Sequence, residues 1–142
     1  MKKSIFMMIA FMLTTSMSMM ADDDRVITFE QLPATAKAQL KQHFANKVVL
    51  VATADFDDYK VIYQSGEKVE FDKRGNWKDL ECMTSGVPLG FIPKQIKAHV
   101  NATFPNAAII KIDRDHRGYE VKLSNGLELE YNKYFQVVDF DD

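Results

Sequence analysis

Apolar residues recur at every fourth position in two segments of the chain. They are Leu32, Ala36, Leu40 and Phe44 in the first segment, and Ile92, Ile96, Val100 and Phe104 in the second. This spacing places the side chains on one face of an α-helix of about three turns. A proline follows the first residue of each series, in the first turn, where a missing N–H costs nothing. The pattern therefore predicts two helices, each with one buried face.

Short alternating segments follow each predicted helix. They span 48–54, 59–64, 67–72 and 76–81 after the first helix, and 108–112, 119–123, 127–132 and 136–140 after the second. Alternation of apolar and polar residues is typical of β-strands with one buried face. Ser65-Gly66 and Asn125-Gly126 are tight-turn pairs, which predict β-hairpins. We expect the apolar side chains of these hairpins to face the helices and the charged ones to face solvent.

The two series align without a gap when the sequence is shifted by 60 residues. Leu32-Pro33 falls on Ile92-Pro93, and Val69-Glu70-Phe71 falls on Leu129-Glu130-Tyr131. An internal repeat of this length indicates two copies of one α-β-β-β-β unit, at 32–82 and 92–142, with a linker at 83–91. The predicted fold class is α+β, a tandem repeat that forms an antiparallel sheet with the helices packed on one face.

The first 21 residues have the layout of a secretory signal peptide. Lys2 and Lys3 precede an apolar run at 5–13, and Ala21 comes just before an acidic N-terminal segment at 22–31. The run is too short to span a bilayer. We therefore expect cleavage after Ala21, no stable membrane insertion afterwards, and a periplasmic protein. A buried N-terminal helix is the alternative.

Composition argues against some partners and cross-links. Among 142 residues there are 18 Lys or Arg and 20 Asp or Glu, which gives a net charge of −2. The basic residues are interspersed rather than clustered, which argues against nucleic acid as a partner. Cys82 is the single cysteine, so an internal disulfide cannot form.

These motifs together resemble a known family. A signal peptide precedes two Leu/Ile-Pro helices, and each helix leads into a Tyr-x-Val hairpin, Tyr59-Lys60-Val61 and Tyr119-Glu120-Val121. This arrangement resembles the PepSY-like family, also described as β-lactamase-inhibitor-like, from about Leu32 to Phe140. The resemblance implies a sheet like that of the β-lactamase inhibitor protein and a periplasmic location in Gram-negative, Bacteroides-type bacteria. It also implies binding or inhibition rather than catalysis, although a shared fold is weak evidence of function.

The residues do not supply a complete catalytic set. The histidines at 43, 99 and 116 lie at unrelated positions, and no serine stands in a Gly-x-Ser-x-Gly frame. The prediction is a non-enzymatic protein without a required cofactor. Asp55, Asp57 and Asp58 crowd one predicted turn, and their carboxylate oxygens suit Ca²⁺. Aspartates also favour turns for their own backbone hydrogen bonds, so both interpretations stay open.

Alternation also selects a candidate binding surface on the solvent side of the sheet. An outward tryptophan beside β-branched residues, rimmed by charges, has the composition of a protein recognition patch. Simple alternation places Trp77 on that side; the alternative is that it covers a sheet edge or packs under the linker. The predicted partner-binding residues are Trp77, Val137, Val49, Val51, Ile109, Lys60, Glu70 and Glu130.

The sequence thus predicts a periplasmic module that binds, or inhibits by binding, a protein or peptide on the open face of the sheet. The alternative is a periplasmic sensor that responds to calcium or to a small ligand, with the metal at the aspartate turn. These two hypotheses place the functional site on different parts of the fold, so the structure can show which residues each would use.

Overall fold

The computed structural model describes residues 24–141, with side chains as far as Val138. The predicted signal peptide lies outside the described residues. Within them, the strands are β1 (Arg25–Ile27), β2 (Val49–Ala54), β3 (Asp58–Tyr63), β4 (Lys68–Asp72), β5 (Trp77–Glu81), β6 (Ile109–Asp115), β7 (Gly118–Leu123), β8 (Glu128–Asn132) and β9 (Val137–Asp141). The helices are α1 (Ala34–His43) and α2 (Lys94–Thr103). From α1 onward, each element of the second half begins 60 residues after its counterpart in the first half.

The strands form one antiparallel sheet whose spatial order is the order of the sequence. Helix α1 lies in the connection between β1 and β2, and α2 lies in the connection between β5 and β6. Strands β5 and β6 pair directly, with Leu80 opposite Ile112. The strands of both halves therefore form one continuous sheet, and the predicted α+β class is confirmed.

The sequence pattern does not predict β1, which pairs with β2 at the edge of the sheet. Three residues are too few for alternation to be visible. A 3-10 helix at Phe29–Gln31 then leads into α1, and a similar one at Leu89–Phe91 precedes α2. Regular structure thus extends into the predicted acidic segment and into the predicted linker.

Both helices bury the predicted apolar stripe. Ala36 and Leu40 of α1 are buried, as are Ile96 and Val100 of α2. The prolines do not stand in the first helical turn, as predicted, but at the N-cap before it, where Pro33 has φ −57° and ψ 148°. Its fixed φ suits this extended entry, and its missing N–H interrupts no helical hydrogen bond there.

The core lies between the two helices and one face of the sheet, and residues from all three form a single buried cluster. Alternating side chains of the hairpin strands point into this core, as predicted. The buried ones are Val61, Tyr63, Val69, Phe71, Val121, Leu123, Leu129 and Tyr131. The other side of the sheet, called the outer face below, carries the half-buried and exposed charged residues that alternate with them. Among the described residues, no helix has the length and apolar character needed to cross a bilayer.

A β-bulge interrupts the alternation at four matching places in the sheet. At each bulge one strand carries an extra residue, which lacks a direct partner on the neighbouring strand. The extra residues are Leu50 in β2, Lys78 in β5, Ile110 in β6 and Val138 in β9. An extra residue shifts the alternation by one position, so the residue before each bulge lies on the helix side of the sheet. Trp77 and Ile109 are buried there, whereas Val137, on the edge strand β9, stays 43% exposed.

Candidate binding face

Four of the predicted binding residues lie on the core side of the sheet, so the prediction that they face outward is wrong. Each stands just before a bulge: Val49, Trp77, Ile109 and Val137. Their cross-strand partners show the face, because Trp77 lies opposite Phe71 and Val137 opposite Tyr131. Strict alternation, on which the prediction depended, gives no sign of a bulge.

Trp77 has a structural role where the two halves of the sheet join. Its side chain is only 6% exposed and meets the ring of Phe91 edge to face, with 6.1 Å between ring centroids. The guanidinium carbon of Arg114 lies 3.8 Å from the centroid of the indole ring. Arg114 Nε also donates a hydrogen bond of 2.8 Å to the Trp77 carbonyl oxygen. These contacts link β5 to β6.

The other four predicted binding residues, Val51, Lys60, Glu70 and Glu130, do lie on the outer face. Three of them belong to a row of side chains that crosses six strands, from β3 to β8. Cross-strand pairing places Lys60, Glu70, Asp79, Asp113, Glu120 and Glu130 side by side. Every member after Lys60 is a carboxylate. We call Glu70, Asp79, Asp113, Glu120 and Glu130 the acidic row.

In the middle of the acidic row, burial and the repulsion between neighbouring carboxylates both disfavour the charged form of the carboxyl groups. Burial raises the pKa of Asp113 to about 7, with help from the carboxylates of Asp79 and Glu120. Burial likewise raises the pKa of Asp79 to about 6. Asp79 Oδ1 is buried and accepts no hydrogen bond from any described residue. The centre of the row therefore favours either a proton or an added positive charge.

Ion pairs on the outer face are concentrated beside the first part of the acidic row. Glu81 pairs with both Lys68 at 3.4 Å and Lys111 at 3.5 Å. Lys60 lies 3.9 Å from Glu70 at the first-half end of the row. The strands from β3 to the start of β6 thus carry interleaved charges of both signs.

A hollow of about 240 Å³ opens on the second half of the outer face. We call it the acidic hollow; it is lined by Gly118 and Val138 and by three members of the acidic row, Asp113, Glu120 and Glu130. Gly118 has a φ of +149°, and a Cβ there would collide with the carbonyl oxygen of Tyr131. A side chain at position 118 would collide with β8. Glycine avoids this collision and leaves this side of the hollow open.

The aspartate turn between β2 and β3 already uses its carboxylates. Asp55 Oδ1 accepts hydrogen bonds from the backbone N–H groups of Asp57 and Asp58, at 2.8 and 2.7 Å, and these lower the pKa of Asp55. Asp58 Oδ1 lies 2.8 Å from Lys78 Nζ. Across the described chain, no three or more Asp, Glu, His or Cys side chains are grouped so that they could hold a metal ion. Calcium binding by Asp55, Asp57 and Asp58 stays a prediction, and it would require these carboxylates to leave their present partners.

Cys82, His99 and His43 are held in structural contacts on the helix side of the sheet, whereas His116 is exposed in the turn between β6 and β7. Cys82 is buried, and this burial raises its pKa to about 12, so the thiol stays protonated. His99 Nδ1 shares a hydrogen bond of 2.8 Å with the Tyr131 hydroxyl. The His43 ring lies 4.4 Å, centroid to centroid, from Phe91. These contacts support packing rather than chemistry.

Sequence reasoning missed three residues of the acidic hollow, Asp113, Glu120 and Val138. The internal alignment contained the signal, because Asp113 falls on Thr53, Glu120 on Lys60 and Val138 on Lys78. Each exchange adds a negative charge or removes a positive one. A comparison of charge between the two halves, rather than of apolar positions alone, would have indicated this surface.

One antiparallel sheet with helices on one side and an open charged face on the other defines a small α+β protein built on a single sheet. The chain belongs to the family described as "Putative beta-lactamase-inhibitor-like, PepSY-like", whose model matches residues 57–139. The resemblance seen in the sequence is thereby confirmed. The family description names no enzymatic activity. No curated protein matches the chain.

Crystal structures of three Bacteroides proteins have the same fold. A "putative periplasmic protein" from Bacteroides vulgatus is 44% identical, with a TM-score of 0.83 over 86% of this chain and 99% of that one. A "putative calcium-regulated periplasmic protein" from Bacteroides thetaiotaomicron is 42% identical, with the same TM-score and the same coverage. A second Bacteroides vulgatus protein, of unknown function, is 29% identical, with a TM-score of 0.79 over 84% of this chain and 99% of that one. These relatives support a periplasmic location.

Proposed function

We propose that this protein is a secreted, non-enzymatic periplasmic module that binds a protein or peptide on the outer face of its sheet. The descriptions of its relatives as periplasmic support the location. The basic and apolar layout of the first 21 residues supports export through a signal peptide. The packing contacts of Cys82, His43 and His99 support a binding role over a catalytic one.

The proposal includes two copies of one α-β4 unit whose sheets join at β5 and β6. The constant offset of 60 residues between matching elements supports this interpretation. Joining the units gives a surface nine strands across, about 40 Å at the usual strand spacing. A surface of that width is large enough for a protein-sized interface.

The observation that carries the proposal is the acidic row. A sheet face that served only solubility would intersperse charges of both signs, since opposed like charges cost stability. Here five carboxylates on adjacent strands are aligned, and burial together with neighbouring carboxylates raises the pKa values of Asp79 and Asp113. A local feature that opposes folding is expected where a surface serves a partner. The sign of the charge favours a basic partner and does not suit nucleic acid.

An affinity experiment with matched charge reversals tests this proposal. The secreted protein is used to capture partners from Bacteroides periplasmic extract, and the affinity of an identified partner is then measured for two variants. Lys60→Glu changes the outer face, whereas Lys41→Glu makes the same change on exposed α1. We expect Lys60→Glu, which adds a carboxylate to the row, to strengthen binding of a basic partner by about tenfold and Lys41→Glu to leave it within about twofold.

Two results would count against the proposed surface. One is a partner whose affinity responds to Lys41→Glu and not to Lys60→Glu, which would place the interface on the helices. The other is failure to retain any periplasmic protein at low ionic strength, where attraction between charged surfaces is strongest.

Calcium regulation is a second candidate, favoured by the description of the Bacteroides thetaiotaomicron relative. The site would be the turn at Asp55, Asp57 and Asp58. Calcium that binds only the folded protein stabilises it, and tighter binding stabilises it more. Millimolar CaCl₂ should therefore raise the Tm of this protein. The variant Asp57→Asn should lose that shift, and Glu128→Gln, which neutralises an exposed carboxylate on β8 away from the turn, should keep it. An unchanged Tm at millimolar calcium would eliminate this candidate.

A further inference from the structure

We propose that the acidic hollow on the unpartnered outer face docks the side chain of a lysine carried by a cationic segment of the partner. This inference rests on the proposed function, because it names what the outer face recognises. It arises from a difference between the two halves of the sheet at positions related by the 60-residue offset.

The first half supplies its own lysine at the corresponding place. Lys78 is the extra residue of the bulge in β5, and its Nζ lies 2.8 Å from Asp58 Oδ1. The carboxylates of Asp58, Glu70 and Asp55 raise the pKa of Lys78. An ammonium group thus sits among carboxylates on this part of the outer face. The hollow that remains there, between Asp58, Lys60 and Glu70, measures only about 80 Å³.

The second half lacks the two lysines of that arrangement and keeps its carboxylates, and the basic residue that lines its hollow is Arg117, at the position of Asp57. Val138 replaces Lys78 at the bulge, and Gly118 replaces Asp58. Glu130 stands where Glu70 does, while Glu120 and Asp113 replace Lys60 and Thr53. The hollow of the second half is the larger of the two, at about 240 Å³ against about 80 Å³. The second half therefore has the space and the negative charge to accept the ammonium group that the first half carries internally.

Charge and surface chemistry of the hollow both fit a lysine side chain. Its ammonium group would lie among Asp113, Glu120 and Glu130, where it would offset the repulsion between neighbouring carboxylates. Its methylene stem would cover Val138, which is 58% exposed. Arg117 also lines the hollow, and Asp115 holds its guanidinium with 2.9 Å between nitrogen and oxygen. The charges of Glu120 and Glu130 act on Arg117 as well, so a docked lysine would share these two carboxylates with it. A partner segment rich in lysine has the complementary charge for the whole acidic row.

The first test uses a peptide of defined sequence and the isotope-labelled secreted protein. The probe is an acetylated, amidated decapeptide that alternates Lys with Thr, and its control has Gln in place of Lys. We expect the lysine peptide to shift the backbone amide signals of β6, β7 and β8 around Gly118 in NMR spectra. The glutamine peptide should leave those signals in place, because it offers the same length and hydrogen bonding without the charge.

Two matched pairs of variants then locate the lysine. Val138→Lys gives the second half its own ammonium group, as Lys78 does in the first half, and should weaken peptide binding about tenfold. Val137→Lys adds the same charge one residue earlier, on the other side of the sheet, and should change binding less than about twofold. Glu130→Gln should weaken binding, whereas Glu128→Gln, on the same strand but outside the hollow, should have the smaller effect.

Several results would overturn the inference. One is signal shifts confined to β3–β5, and another is equal effects of Val138→Lys and Val137→Lys. A third is displacement of the peptide by equimolar CaCl₂, which would make the hollow a divalent-cation site.

The inference and the proposed function can fail independently of each other. If a periplasmic partner still responds to Lys60→Glu but the lysine peptide does not bind, the outer face is an interface and the lysine assignment is wrong.

Discussion

At the scale of single residues, one buried ion pair distinguishes the first half of the core from the second. The Glu67 side chain is 2% exposed, and Lys47 Nζ lies 3.0 Å from its Oε2. Burial opposes the charge, but hydrogen bonds from Ser65 and Lys47 outweigh it and lower the pKa of Glu67 to about 2. The matching positions of the second half hold Leu127 and Ala107, which pack against the core without charge.

Removing only the lysine should therefore destabilise the protein. We expect Lys47→Ala to lower the free energy of unfolding by about 1–3 kcal/mol, because a buried carboxylate loses a partner. Lys47→Ala combined with Glu67→Leu reproduces the residue types of the second half and should recover most of that loss. Lys37→Ala, which removes a more exposed ion pair with Glu30, serves as the control and should cost less than about 1 kcal/mol. Urea unfolding at pH 7 measures all three, and equal losses for the single and double variants would contradict the explanation.

The raised pKa values of Asp79 and Asp113 predict that the free energy of unfolding depends on pH. Their folded pKa values of about 6 and about 7 lie above the ordinary 3.8, so the folded state binds protons more tightly than the unfolded state. Their contribution is fully favourable below about pH 4 and is lost as the pH rises through 6 to 7. The charged groups that act on the two carboxyls are Glu70, Glu81, Lys68, Lys111, Glu120 and Asp115.

The double variant Asp79→Asn with Asp113→Asn isolates this contribution. It should be more stable than the parent protein at pH 8, where the parent carries two repelling charges, and closer to the parent at pH 5. Urea midpoints measured from pH 5 to pH 8 give the comparison. Because every other group is common to both proteins, the difference between the two curves isolates the contribution of Asp79 and Asp113. A constant difference across this range would show that these carboxyls do not titrate there.

At the scale of elements, the helices and hairpins could be predicted from the sequence, whereas the face of several side chains could not. Four-residue recurrence and alternation depend on local burial, which Leu40 and Val61 show directly. A bulge depends on how two strands align, and neither Lys78 nor Val138 differs in type from a regular strand residue. Trp77 was misplaced for this reason. The acidic row likewise exists only through cross-strand register, since its members are far apart in sequence.

The close approach of β7 and β8 leads to a prediction about two glycines. Gly118→Ala should lower the free energy of unfolding by at least about 3 kcal/mol, because the new Cβ meets the backbone of Tyr131 and φ is positive. Gly66→Ala is the matched control, with φ +105° but no atom within 4 Å of the new Cβ. It should cost about 1–2 kcal/mol from backbone strain alone. Chemical unfolding compares them, and similar losses would mean that β8 adjusts to a side chain at position 118.

At the scale of the whole molecule, the halves share structure that neither completes alone. Strand β5 has β6 as its second neighbour, and without it Leu80 and Trp77 would lose the contacts that Ile112 and Arg114 provide. The buried cluster runs through both helices and both halves of the sheet. Sharing of this kind favours unfolding as one cooperative unit, even though each half contains its own helix and its own hairpin.

Hydrogen exchange measures that cooperativity directly. Leu129→Ala creates a cavity in the second half and should lower stability by about 2–4 kcal/mol. If the halves unfold together, the most protected amides of β3 lose as much protection as those of β7, although β3 lies in the other half. Val26→Ala, an exposed change at the β1 edge, should leave both sets unchanged. Loss of protection in β7 with full protection retained in β3 would instead show that the β5–β6 pairing does not couple the halves. The two units would then fold independently, and the wide outer face would depend on their docking.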